Sequence, residues 1–191
     1  MKYIVLILIL LVAINIGCKT SKPAATSLTK VSRVSSTDQK ITPATVNFSD
    51  KSTWILGYFN LEKLAQEPYS AWYLKEYEEY QINSNVVNQL LDISKDNVKI
   101  KIVMGTWCPD SRREVPRMIR ILDIWRFPMT QVSFIGVDKT KHTSVSEYES
   151  LKIEKVPTFI IYKNNVEAGR IIETPLTSLE QDLVNILTRN E

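Results

Sequence analysis

Cysteine, histidine and glycine are scarce in this chain: two, one and five among 191 residues. Two cysteines allow one disulfide at most, and with a single histidine they are too few soft ligands for a Cys/His zinc site. No metal and no cofactor is expected. Five glycines form no phosphate-cradling loop, and no serine sits in a nucleophile elbow. Twenty-four Lys and Arg against 21 Asp and Glu leave +3, with no basic run of the kind that tracks a phosphate backbone. Nucleic acid is therefore not an expected partner. Nor is there an apolar run of about 20 residues, the length a spanning helix needs. What is present is ordinary globular material: 44% hydrophobic, 24% charged and 9% aromatic residues, enough to build one core of domain size.

The one long apolar run is N-terminal. Met1-Lys2-Tyr3 leads into Ile4 to Ile14, then Asn15, Ile16 and Gly17, the order of charged start and apolar stretch found in export signals. Gly17-Cys18 resembles the lipobox of bacterial lipoproteins, in which the cysteine is acylated and becomes the first mature residue; Asn15 departs from that pattern. The expectation is a signal peptide over 1–17 and a lipidated Cys18, whose multiple acyl chains give stable membrane attachment. Lys19, in place of the Asp that tends to retain such proteins in an inner membrane, suggests by resemblance the periplasmic face of an outer membrane. Residues 18–46 hold the lipidated cysteine and a Ser/Thr/Lys-rich stretch without aromatics, a composition that reads as a solvated tether of roughly 30 Å coil span.

A domain over 47–191 follows, divided into a helical extension (47–95) and a core (96–191). Trp54 to Tyr58 is apolar and short enough to be a strand. Asn60 stands where it can cap a helix over Leu61 to Gln66, and a second helix is expected over Tyr69 to Tyr80 after Pro68. Tyr69, Tyr73, Tyr77 and Tyr80 recur at helical spacing beside Trp72. That aromatic face either packs on the core or offers a platform to a peptide or glycan. Ser84 heads a third helix to Ile93. Val98 to Met104 alternates and then turns fully apolar, the pattern of a strand entering a sheet interior. Gly105-Thr106-Trp107-Cys108-Pro109-Asp110-Ser111-Arg112-Arg113-Glu114-Val115-Pro116 comes next, leading into a helix through Trp125. Gln131 to Asp138 reads as a buried strand, Thr143 to Leu151 as a polar helix, Val156 to Tyr162 and Val166 to Ile172 as a hairpin. Ser178 caps a last helix carrying Leu179, Leu183, Ile186 and Leu187.

This order over residues 98 to 188 resembles thioredoxin. Trp107-Cys108 stands where that family has its Trp-Cys, Ser111 takes the second cysteine's place, Pro116 matches the proline of the active-site helix, and Val156-Pro157-Thr158 resembles the cis-proline loop. More loosely, the chain resembles thioredoxin-like lipoproteins of Bacteroidetes-type bacteria. The resemblance implies an α/β, thioredoxin-like fold: a central mixed sheet flanked by helices, with residues 47–95 as an N-terminal helical extension. It implies Cys108 and Ser111 as the catalytic positions, and Trp107, Pro109, Val156 and Pro157 as the surface that meets substrate. Expected partners are protein or small-molecule thiols and disulfides, and a membrane through the lipid anchor.

A cysteine at a helix N-terminus has free backbone N–H groups and the helix dipole to favour its thiolate. Arg112 and Arg113 add to that potential and Asp110 opposes it. Such a thiol is expected to be accessible. The departure from the family is Ser111, which cannot form a disulfide, so Cys108 has no local resolving partner. The acid that the family buries six residues before the attacking cysteine is also absent, with Ile102 in its place. Three functions remain open: a monothiol oxidoreductase or isomerase resolved by an external thiol, a non-catalytic binding or scaffold module, and a redox sensor oxidised at Cys108. His142 and Asp138 are expected in surface and turn roles.

Overall fold

Val98–Met104 forms β2, and its burial follows the alternation of the sequence: Val98, Ile100 and Ile102 are buried while Lys99 and Lys101 face the other way. The computed structural model describes residues 46–189. The signal peptide, the lipidated Cys18 and nearly all of the tether lie outside the described residues. Around β2 the sheet orders itself β1-β3-β2-β4-β5, where β1 is Gly57–Phe59, β3 Val132–Gly136, β4 Thr158–Lys163 and β5 Val166–Ile172. β3 runs parallel to β2, β4 antiparallel to it, and β5 and β1 close the two edges antiparallel. The sheet is mixed, as expected. β4 and β5 are joined through Asn164 and Asn165, both at positive φ, a conformation asparagine tolerates better than most residues.

Four α-helices lie among the described residues: α1 Ser70–Glu79, α2 Ser84–Asp92, α3 Pro109–Ile124 and α4 Leu179–Thr188. Side-chain caps explain the starts of two of them. Ser178 accepts from Gln181 N–H as expected, whereas α2 is capped by Asn83, one residue earlier than Ser84, through Val86 N–H. The apolar side chains of all four helices join one cluster with Ile100, Ile102, Phe134, Phe159 and Ile161. The opposite face of the sheet carries Val103, Ile135, Val137 and Ile160 under Tyr148, Leu151 and Val156, with no α-helix among the described residues. The helices therefore do not flank the sheet on both sides.

That asymmetry has a local cause. The expected helix over Thr143 to Leu151 is reduced to a 3-10 turn at Tyr148–Leu151. Thr143-Ser144-Val145-Ser146 puts β-branched residues and side chains that compete for backbone hydrogen bonds where the helix would have to nucleate. The helix expected over Leu61 to Gln66 is likewise only a turn, Leu61–Lys63, too short to sustain itself ahead of the cis Glu67–Pro68 bond. The first strand lies at Gly57–Phe59, later than Trp54 to Tyr58. Residues 47–95 are thus more than a helical extension, since they supply an edge strand.

The aromatic face of α1 is settled as core. Tyr69 and Tyr73 are buried, and Tyr73 stacks on Tyr77 at 6.2 Å. Tyr77 Oη donates to Asp123 on α3 and Tyr80 Oη to Glu180 on α4. A peptide or glycan platform is not available there.

Candidate active site

β2 delivers the chain to Gly105, whose missing side chain is required: a Cβ there would lie 2.5 Å from the Trp107 indole. Cys108 N–H then donates to Gly105 O at 2.9 Å, closing the turn. Cys108 takes extended backbone angles as the N-cap of α3, its carbonyl accepts from Arg112 N–H, and Pro109 occupies the first helical position, where its missing N–H costs nothing. Strand end, turn and proline together place the sulfur at the helix N-terminus, as the sequence implied.

Across from it, Val156–Pro157 is a cis peptide bond. Cys108 Sγ donates to Val156 O at 3.2 Å, so the two motifs, 48 residues apart in sequence, meet at one point. Pro157 O in turn accepts from Glu173 N–H at 2.7 Å, tying this loop to the residue just past β5. Cys108 is 7% exposed. The accessible thiol expected from the sequence is therefore corrected: Sγ lies against Val156 with Val103, Val137 and Tyr148 in the same cluster, because the loop that replaces a helix folds over this end of the sheet. Val156 and Pro157 are buried as well, Trp107 is half-buried and Pro109 is exposed.

Ser111 is fully buried one turn into α3, and its Oγ accepts from Gly105 N–H at 3.2 Å. It holds the turn that carries Cys108. Ile102 is buried in the apolar cluster of the helical face, so no acid stands behind the thiol at that position.

The charges around the site sort themselves. Arg113 bridges Asp110 at 2.8 Å and Glu114 at 2.6 Å, so its charge is offset by carboxylates. Arg112 is left as the cation beside the thiol. Its Nη1 donates to Thr106 O at 3.0 Å and Trp107 O at 3.3 Å, and its guanidinium lies 4.8 Å from the Phe48 ring centre. Burial pulls the Arg112 pKa below its ordinary value, and Cys108 pulls the other way. Two carbonyls and a ring face give this guanidinium partners without a carboxylate to cancel its charge.

Sequence reasoning missed Thr106, Phe48 and Trp54. Thr106 is buried; its hydroxyl donates to Thr53 O at 2.9 Å and accepts from Ile55 N–H at 3.3 Å. Trp54 packs on Trp107 at 6.5 Å, and Trp107 Nε1 donates to Val137 O. Residues 48–55 therefore edge the site. No local pattern could show this, because the partners lie more than 50 residues away.

The family model described as thioredoxin matches residues 61–183, more than half of the chain. The chain belongs to the thioredoxin family. No curated protein matches the sequence. Among solved structures, a protein of unknown function from Pseudomonas aeruginosa is similar at 14% identity and a TM-score of 0.43, over 59% of this chain and 68% of that one. An HIV epitope-scaffold is similar at 15% identity and a TM-score of 0.42, over 62% and 73%.

Elsewhere in this thioredoxin domain the remaining candidates take structural roles. Asp138 accepts from Thr140 N–H, Thr140 Oγ1 and His142 N–H, which hold its carboxyl below the usual range. His142 is a surface residue, 4.0 Å from Glu149. Among the described residues no cluster of His, Cys, Asp and Glu could hold a metal ion, and no helix is long and apolar enough to cross a membrane.

Proposed function

We propose that this thioredoxin-family chain is a thiol-disulfide oxidoreductase or isomerase that works through the single thiol Cys108. The observation that carries the reading is the meeting of Cys108 Sγ, at the N-cap of α3, with the carbonyl of Val156 in the cis Val156–Pro157 loop. The sulfur stands at the N-terminus of α3, and the Arg112 guanidinium is bound to the Thr106 and Trp107 carbonyls just before it. Exposed Pro109 and half-buried Trp107 offer the surface on which a substrate lands, and the Val156–Pro157 loop borders the sulfur it must reach.

The chemistry is one exchange in two halves. Cys108 thiolate attacks a substrate disulfide: one S–S bond breaks, a new one forms between Cys108 and the substrate, and the other substrate sulfur leaves as thiolate. An external low-molecular-weight thiolate then attacks the substrate sulfur of the mixed disulfide, which frees Cys108 and moves the disulfide onto that thiol. In isomerisation a different thiolate of the same substrate attacks the substrate sulfur of the mixed disulfide, so that Cys108 leaves as thiolate and the substrate keeps a new sulfur pairing. No step asks Ser111 for electrons. The test is disulfide reduction with excess small thiol: Cys108→Ala loses the rate above the uncatalysed background, and equal rates in both proteins would refute the proposal.

The burial of Cys108, Val156 and Pro157 favours a second reading, a non-catalytic binding or scaffold module. Under it, Cys108→Ala leaves partner binding intact.

We further propose that the domain is exported and lipid-anchored through Cys18, on the periplasmic side of an outer membrane. Gly17-Cys18 after the apolar run Ile4 to Ile14 supports this.

A further inference from the structure

The sheet face that lacks helices is covered at one end only. Near Cys108 the segment carrying Tyr148 and Leu151 lies on it. Toward the other end of β2 the cover stops, leaving a cleft of about 480 Å³, within the range that holds a small organic ligand. Lys99, Lys101, Ser133, Leu151 and Tyr162 are among its walls. Tyr162 is half-buried and offers an aromatic wall, while Leu151 and the lysine stems add apolar surface.

The charge on this face is unbalanced. Lys99 Nζ donates to Asn165 Oδ1 at 2.9 Å, a neutral partner. Among the described residues the Lys101 ammonium has no hydrogen bond or ion pair, and it exerts only a minor pull on Glu147. Glu147 is the one carboxylate in the lining, and it already accepts from Tyr58 Oη and Ser146 Oγ. Arg170, on the same face, is held by both oxygens of Glu167. Two ammonium groups at alternate positions of β2 thus share a concave, partly apolar site with one carboxylate, Glu147, with which neither forms an ion pair among the described residues. The chain's own N-terminal stretch is a poor occupant, since residues 19–45 carry Lys19, Lys22, Lys30, Arg33 and Lys40 against Asp38 alone.

We propose that this cleft binds a small organic anion with a flat apolar body, its carboxylate held by Lys99 and Lys101 and its body against Tyr162 and Leu151. The site is separate from Cys108 and does not depend on the thiol chemistry proposed above. Equilibrium dialysis of 2-naphthoate against the full chain tests it, with 2-naphthalenemethanol as the uncharged counterpart of the same body. One naphthoate binds per chain, and the alcohol binds at least tenfold more weakly. Lys99→Gln/Lys101→Gln weakens naphthoate binding at least tenfold, whereas Lys139→Gln, whose ammonium lies over Trp54 elsewhere, leaves it unchanged. Circular dichroism confirms that the double variant is folded. The proposal is overturned if naphthoate does not bind, if the alcohol binds equally, or if the double variant binds as wild type. An acidic peptide that binds where naphthoate fails, or a dimer that the double variant dissolves, also overturns it.

Discussion

At the scale of single residues, Ser111 separates this chain from a dithiol enzyme. Its hydroxyl is buried against Gly105 N–H, one helical turn from Cys108, which is where a resolving sulfur would have to stand. Ser111→Cys is therefore expected to give a protein that cycles between dithiol and disulfide. Mass spectrometry after oxidation reads the loss of two hydrogens, and persistence of two free thiols would contradict the geometry. Thr106 acts on shape instead. One hydroxyl satisfies both Thr53 O and Ile55 N–H in a buried position, so Thr106→Val leaves two backbone groups without their partner. A stability loss of about 1–3 kcal/mol is expected, read by urea unfolding, together with faster alkylation of Cys108 as residues 48–55 loosen. The site was legible in the sequence where neighbours along the chain make it: Trp107, Cys108, Pro109 and Ser111 stand where the motif put them, and Val156–Pro157 meets the sulfur as the family resemblance implied. Thr106, Phe48 and Trp54 were not legible, because their roles come from contacts that only the folded topology brings together. The exposure of Cys108 was misjudged for the same reason.

At the scale of elements, periodic segments were readable and weakly periodic ones were not. Val98–Met104 and Leu179–Thr188 form where alternation and capping place them, since hydrophobic period and an N-cap act locally. The segment after β3 failed as a helix because its Ser, Thr and Val content opposes nucleation more than its two apolar anchors, Tyr148 and Leu151, favour it. Tyr148 and Leu151 bury that segment on the sheet, and a pin joins it to the edge strand: Tyr58 Oη donates to Glu147. The hydrogen bond pushes Tyr58 up to about 12, with burial adding to it, and holds the Glu147 carboxyl below its ordinary value. A depressed folded-state carboxylate pKa gives stability that is present above the ordinary carboxylate value and fades as pH falls through the lowered one. A raised phenol pKa gives stability present below about 10, the ordinary phenol value, and lost as pH rises toward about 12. The pin thus works across the neutral range and releases at both extremes. Tyr58→Phe is expected to lower the melting temperature at pH 7 and to shrink the difference between the proteins at pH 3 and at pH 12. A difference that stays constant across pH would show that the pin contributes nothing.

At the scale of the whole molecule, one face of the sheet holds all four helices of the described domain and the other is covered only around Cys108. Neighbouring sequence could not reveal this, since the expected crossover helix would have covered the second face. The N-terminal extension joins the same body: β1 edges the sheet, α1 lies on α3, and Phe48 and Trp54 border the site. The export and anchoring proposed above are tested on the full chain, where Cys18→Ser is expected to move the protein from the membrane pellet to the soluble fraction. Retention in the pellet after that change would point to an uncleaved apolar leader as the anchor. The central claim is that Cys108 exchanges disulfides without a second sulfur to release what it captures. Acid-quenched cells, alkylated and resolved without reductant, test this most directly. Wild-type chain is expected in mixed disulfides that reductant dissolves, Cys108→Ala in none, and Ser111→Cys in far fewer than wild type. A Cys108 found entirely free and alkylated in every sample would contradict the account.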